Sequence, residues 1–189
     1  GAQSMDGGKT WSKNRMIYTS PDSTVCQCCK PSVKVAGSNV YVMFRNWIDG
    51  NRDMYIIQSK DGGNTFDDAK RLGDGHWKLK GCPMDGGNLA INTNGQIQTV
   101  WRREGMVFSA TPGSPEIQIG EGKGSTIETI NGKNIYAWTK KDEVEIIKPG
   151  GEKVSIGKGN QPVLKALNDH QVMCVWEQQK QIHAAIVEL

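Results

Sequence analysis

The chain has 189 residues, enough for one substantial hydrophobic core, and its 23 basic and 20 acidic residues leave a net charge of +3. No run of basic residues suggests a nucleic-acid partner. No apolar stretch approaches the ~18 residues that favour a membrane span. Twenty-three glycines separate short apolar segments, which is typical of an all-β domain.

The N-terminal segment contains an eight-residue turn pattern that recurs later in the chain. Both copies, at 4–11 and 59–66, read Ser-x-Asp-Gly-Gly-x-Thr-aromatic. Asp-Gly-Gly favours positive φ, the Asp and Thr side chains can close the turn by hydrogen bonds, and the aromatic ring can anchor it on a sheet. The specified residues are Ser4, Asp6, Gly8, Thr10 and Trp11 in the first copy, and Ser59, Asp61, Gly63, Thr65 and Phe66 in the second.

Four hydrophobic segments, each preceded by a turn, end in an aromatic residue, at Phe44, Trp101, Trp138 and Trp176. A repeat of roughly 40 residues built from short strands is typical of β-propeller blades. The sequence therefore predicts an all-β propeller of four-stranded antiparallel blades in a single domain, 1–189. The predicted blades cover about 31–72, 86–122, 124–158 and 161–189.

The fourth predicted blade lacks an outer strand, and this leaves two possible architectures. The segment 12–20 could supply that strand by pairing with 181–187, which would close a compact four-bladed ring. Alternatively, the chain is the C-terminal part of a six-bladed ring. An incomplete ring would expose a strand edge that can pair with another copy of the chain, so a homo-oligomer is possible.

The two turns resemble the Asp-box (BNR-repeat) turns of the sialidase-like β-propellers, in which they are structural. Cys-x-Cys-Cys-x-Pro at 26–31 with Gly-Cys-Pro at 81–83 is similar to a group of exported bacterial sialidase-like proteins. The resemblance implies a secreted or periplasmic protein that binds or hydrolyses glycans. An enzyme of this kind would be a glycoside hydrolase of the exo-sialidase type, with arginines on the substrate carboxylate and a Tyr nucleophile. No Tyr falls in a predicted site loop, so the catalytic residues are unassigned.

Strand order predicts that the links between blades share one face with the turns between second and third strands, opposite the Asp-box turns. The two longest links, 20–31 and 73–87, lie on this face, where propellers usually bind ligands. Arginines there suit an anionic group, and tryptophans can stack on a sugar. The expected ligand is therefore a carbohydrate or a small anion. The candidate ligand-binding residues are Arg45, Trp47, Arg52, Asp53, Trp77, Asp85, Arg102 and Arg103.

The same two links contain four of the five cysteines, Cys26, Cys28, Cys29 and Cys82. One interpretation is that disulfides pin the links, with at least one bridge to Cys82. The other is a soft-metal site for Cu or Zn; otherwise no cofactor is expected. The alternative function is accordingly a non-catalytic propeller module that binds a protein partner or a soft metal.

Overall fold

A computed structural model describes residues 1–22 and 24–189, which form strands, turns and loops without a helix. No membrane-crossing helix occurs in these ranges. The strands form four antiparallel sheets. The first two sheets comprise β1 (Ser32–Ala36), β2 (Asn39–Arg45), β3 (Met54–Ser59) and β4 (Lys70–Arg71), then β5 (Asn88–Ile91), β6 (Ile97–Arg103), β7 (Met106–Ala110) and β8 (Ile117–Glu121). The last two comprise β9 (Lys123–Ile130), β10 (Lys133–Lys140), β11 (Glu143–Ile147) and β12 (Lys153–Lys158), then β13 (Asn160–Ala166), β14 (Gln171–Gln178) and β15 (Gln181–Glu188).

Within each sheet the strands pair in chain order, as in a blade built from successive hairpins. The first strands of consecutive sheets lie side by side, so that β1 contacts β5, β5 contacts β9 and β9 contacts β13. The hydrophobic core lies mainly between neighbouring sheets. The expected all-β propeller with four blades is therefore confirmed, with three strands in the fourth blade.

Each of the last three blades packs a second-strand tryptophan against glycine in the blade before it. Trp101 lies over Gly73, just after β4, and the buried Trp138 ring lies over Gly120 of β8. Trp176 lies over Gly157 and Gly159, at the end of β12. A Cβ atom at Gly120 would overlap the Trp138 indole, so the missing side chain lets neighbouring blades approach closely.

The two copies of the repeated turn, at 4–11 and 59–66, have the same hydrogen-bond pattern. In the second copy the Ser59 hydroxyl donates to Asp61 Oδ1 (2.7 Å) and accepts from Gly63 N–H (2.8 Å). Thr65 then donates to the Asp61 carboxylate through its backbone N–H (2.9 Å) and its hydroxyl (2.7 Å). These bonds favour the ionised carboxylate and hold the pKa of Asp61 well below its usual range.

The first copy repeats these contacts around Asp6, with Thr10 N–H donating at 2.9 Å and the Thr10 hydroxyl at 2.6 Å. Hydrogen bonds from Thr10 lower the pKa of Asp6 from 3.8 to about 2. The same eight-residue pattern therefore folds in the same way at two places in the chain.

The segment 12–20 does not supply an outer strand to the fourth blade. It contains no strand and packs against the first blade. Arg15 Nη1 donates to Asn64 O (3.3 Å), and the Tyr18 ring lies 4.8 Å from that of Phe44. Of the two architectures that the sequence left open, the one in which this segment pairs with 181–187 is not observed, because Ile17 and Tyr18 pack on an apolar surface of the first blade.

We expect Asp61→Ala to lower the melting temperature, because the turn loses every hydrogen bond that its carboxylate accepts. The folded state lowers the pKa of Asp61, so this stabilisation is present above the usual pKa of 3.8 and declines as the pH falls below it. The difference in melting temperature between the two proteins should therefore shrink below about pH 4. Asp68→Ala, an exposed neighbour, is the control; equal melting temperatures for Asp61→Ala and wild type at pH 7 would contradict the assignment.

We expect Gly120→Ala to lower the free energy of unfolding by about 1–3 kcal/mol, because the added methyl group overlaps the rigid Trp138 ring. The control is Gly81→Ala, where a Cβ atom meets nothing within 4 Å. Urea denaturation measures both. A Gly120→Ala protein as stable as Gly81→Ala would show that the blades do not depend on this contact.

Candidate functional site

A buried arginine lies at the centre of the face that carries the links. Arg45, at the end of β2, is 1% exposed, and each of its guanidinium nitrogens donates to a backbone carbonyl. Nε donates to Asp85 O (3.1 Å), Nη1 to Arg52 O (2.6 Å) and Nη2 to Arg102 O (2.9 Å). Burial lowers the pKa of Arg45. Contrary to the expectation from the sequence, Arg45 connects the second long link, the turn between β2 and β3, and the end of β6, and it does not present its guanidinium to a ligand.

The turn between β2 and β3 is tied to the second long link in a similar way. Arg52 is buried, donates through Nε to Leu79 O (3.3 Å) and through Nη1 to Cys26 Sγ (3.2 Å), and lies 4.5 Å from the Trp47 ring centroid. Trp47 itself is 38% exposed. Arg52 is therefore a structural contact between links, and Trp47 is the more accessible partner of the pair.

Asp53 and Trp77 also lie inside this loop cluster. The buried Asp53 carboxylate accepts from Trp77 N–H (2.8 Å) and lies 2.6 Å from His76 Nδ1. The buried Trp77 ring contacts two guanidinium groups, with Arg45 Cζ 5.1 Å and Arg102 Cζ 5.3 Å from its centroid. Both residues were candidates for ligand contact, yet the structure places them beneath the surface, where Asp53 binds the Trp77 backbone and the Trp77 ring contacts two arginines.

Asp85 and Arg102 reach a cleft of about 580 Å³ at the starts of the first strands and the ends of the second strands, opposite the two repeated turns. Arg102 Nε lies 3.2 Å from Asp85 Oδ2, an ion pair without the alignment of a hydrogen bond. Gly124 N–H donates to the same carboxylate oxygen (3.2 Å). Burial raises the pKa of Asp85, while this N–H and the neighbouring cation act in the opposite direction. The cleft therefore brings together two of the eight predicted ligand-binding residues.

Arg103, the last of the eight, points elsewhere. It forms a bidentate ion pair with Glu116, and its guanidinium lies 4.1 Å from the Phe108 ring centroid. Both charges of the pair are largely shielded from solvent. Arg103 thus connects strands of the second blade and does not line the cleft.

Most of the cleft wall comes from residues that sequence reasoning missed. They lie at the starts of the first strands and at the end of β14, positions that only the assembled ring brings together. The polar side chains that line the cleft and were not predicted as site residues are Lys30, Asn88, Lys123, Ser125, Thr126, Asn160, Gln161 and Glu177. Asn88 Nδ2 donates to Thr126 Oγ1 (3.1 Å). The buried Ser125 hydroxyl has no hydrogen-bond partner in the described part of the chain.

The cysteines of the two links meet beside Arg52. Cys28 and Cys82 form a disulfide, with a Cα–Cα distance of 6.7 Å, so the expected bridge to Cys82 is present. Cys26 and Cys29 are buried free thiols 2.9 Å apart. Cys174 is buried in the fourth blade, where burial raises its pKa to about 12. The disulfide fixes the first link to the second on the same face as the cleft.

No protein-family model matches the sequence, and no curated protein sequence is significantly similar to it. Among solved structures, native Bacillus subtilis arabinanase Arb43A superposes with a TM-score of 0.52 at 10% identity, over 94% of this chain and 81% of that one. A GH43 endo-arabinanase from Bacillus licheniformis has a TM-score of 0.46 at 11% identity, over 84% and 72%. YCF48 bound to a D1 peptide has a TM-score of 0.49 at 16% identity, over 93% of this chain and 54% of that one, so the chain spans about half its length. The likeness to the Bacillus subtilis arabinanase shows a shared fold.

We expect Arg45→Met to lower the free energy of unfolding by about 2–5 kcal/mol, because three buried carbonyl groups lose their hydrogen-bond donor. Arg15→Met is the matched control, since Arg15 is exposed and makes a single side-chain hydrogen bond at 3.3 Å. Chemical denaturation compares the two. Equal stability of both variants would mean that Arg45 does not hold the links together.

Proposed function

We propose that this protein is a sialidase-like propeller that binds carbohydrate in the cleft lined by Asp85 and Arg102. The observation that carries the proposal is the buried Ser125 hydroxyl, which lines the cleft and lacks a partner among the described residues. Buried hydroxyl groups are normally paired, and a ligand or water that enters the cleft can pair with this one. The sequence resemblance to Asp-box propellers supports the same class of ligand.

The chemistry of the cleft wall also suits a sugar. Hydroxyl, amide, carboxylate and cationic side chains all line the cleft, and a sugar hydroxyl can donate to one and accept from another. Arg102 and Asp85 neutralise each other, which leaves Lys30 and Lys123 against Glu177. This small excess of positive charge favours an anionic sugar over a neutral one.

Binding is favoured over sialidase-type hydrolysis. No tyrosine is among the described residues that line the cleft, so a Tyr nucleophile has no candidate there. The carboxylates available for a two-carboxylate mechanism are Asp85 and Glu177. Asp85 is already engaged by Arg102 and by Gly124 N–H, which suits a residue that orients a ligand.

The proposed setting is outside the cytoplasm. Structural disulfides persist in oxidising compartments, and the Cys28–Cys82 bridge supports a secreted or periplasmic location. Binding of a protein partner instead of a glycan stays a prediction from the sequence. It would be favoured if the purified chain bound none of the sugars in a broad panel.

The sharpest test of the cleft is Ser125→Ala, which removes an unpaired hydroxyl and should leave the melting temperature unchanged. We expect it to weaken binding by roughly 2- to 10-fold, the effect of one hydrogen bond. Calorimetry would use a panel of sialylated, arabinose-containing and uncharged oligosaccharides, with release of reducing sugar as the readout for hydrolysis.

Ser20→Ala is the control, because Ser20 is the other buried serine hydroxyl without a partner among the described residues, and it lies outside the cleft wall. It should bind like wild type. If a ligand is found and Ser125→Ala and Arg102→Ala both bind it with wild-type affinity, the cleft is not the binding site.

A further inference from the structure

The four cysteines of the two links form a compact sulfur cluster. Their Sγ atoms all lie within 4.8 Å of one another. Cys26 Sγ is 2.9 Å from Cys29 Sγ and 3.9 Å from each sulfur of the Cys28–Cys82 pair. Around a tetrahedral ion with bonds of about 2.3 Å, the sulfurs of two ligands are about 3.8 Å apart. Two of the separations thus already match a four-sulfur site.

Backbone hydrogen bonds hold cysteines from both links in the cluster. Cys29 N–H donates to Cys26 O (3.3 Å), so these two residues close a Cys-x-x-Cys turn that the overlapping Cys28 obscures in the sequence. From the other link, Met84 N–H donates to Cys82 Sγ (3.3 Å). Hydrogen bonds to sulfur stabilise a thiolate ligand, because they delocalise its charge onto the backbone.

Two buried cationic side chains beside the cluster lack an anionic partner among the described residues. Arg45 and Arg52 are both buried, and neither has a carboxylate within ion-pair distance in the described ranges. Arg52 Nη1 donates to Cys26 Sγ at 3.2 Å. A buried cation needs a nearby negative charge. A divalent ion held by four thiolates carries a net charge of −2, which these two guanidinium groups would balance.

We propose that Cys26, Cys28, Cys29 and Cys82 bind one Zn²⁺ ion when the Cys28–Cys82 disulfide is reduced. An external dithiol supplies the two electrons: it becomes a disulfide, the Cys28–Cys82 bond breaks, and two thiols form. Zn²⁺ then displaces four thiol protons to solvent and forms four Zn–S bonds. Cys28 and Cys82 are exposed, so a reductant and the ion can reach them, while Cys26 and Cys29 are buried beneath.

The test reduces the whole chain with a dithiol under anaerobic conditions, removes the reductant and adds Zn²⁺ alone. We expect native mass spectrometry to show one zinc per reduced chain and none per oxidised chain. Co²⁺ in place of Zn²⁺ should give the visible absorption of a tetrahedral thiolate complex. Zinc should also raise the melting temperature of the reduced chain.

The variants distinguish the cluster from other thiols. Cys29→Ser and Cys82→Ser should each weaken zinc binding at least 100-fold, and the exposed Cys82 keeps the second variant usable if the first fails to fold. Cys174→Ser, whose thiol is in the fourth blade, should bind zinc like wild type. The proposal is overturned if the reduced chain binds no zinc at micromolar concentration, if Cys174→Ser loses zinc and Cys82→Ser does not, or if a second disulfide between Cys26 and Cys29 resists the reductant.

Discussion

The architecture depends on one repeated contact, a tryptophan in the second strand of a blade lying against glycine at the outer edge of the blade before it. Trp138 over Gly120 and Trp176 over Gly159 each bury a large ring where a side chain on the facing strand would prevent contact. Burial of a tryptophan contributes on the order of 2–3 kcal/mol, and the contact also sets the spacing of the blades.

The tryptophans of these contacts also made the fold predictable from the sequence. Strong β-sheet formers at regular spacing and a turn before each second strand are local signals, and the sequence showed Trp101, Trp138 and Trp176 at the interval of a blade. The two repeated turns were equally local, since the hydrogen bonds of the Asp61 carboxylate and the Ser59 hydroxyl in the second copy all lie within 59–66. The place of segment 12–20 was not predictable, because it depends on which blade offers an apolar surface to Tyr18.

The site was harder to predict than the fold. Sequence reasoning predicted the disulfide between the two long links, but it treated every arginine beside them as available to a ligand. Arg45 and Arg102 are equivalent in the repeat, since each follows the aromatic residue that ends a second strand. They differ in burial because the two long links cover Arg45, whereas Arg102 borders the cleft. The local sequence pattern cannot reveal which of two equivalent residues a loop will cover. It also gave no signal for Ser125, because what distinguishes Ser125 is that its buried hydroxyl has no partner in the described structure.

A continuous set of hydrogen bonds connects the cysteines to the cleft. Cys26 Sγ accepts from Arg52, whose carbonyl accepts from Arg45, and Arg45 in turn donates to the carbonyls of Asp85 and Arg102. Asp85 and Arg102, two of the residues that line the cleft, thus have their backbone positions set by Arg45, which belongs to the same hydrogen-bond network as Cys26. Thiolates, free or bound to zinc, would attract the Arg52 guanidinium more strongly than neutral sulfurs do. With neutral sulfurs, both buried guanidinium groups would have no anion in contact. The chemistry of the cysteines and the shape of the proposed sugar site are therefore parts of one electrostatic arrangement.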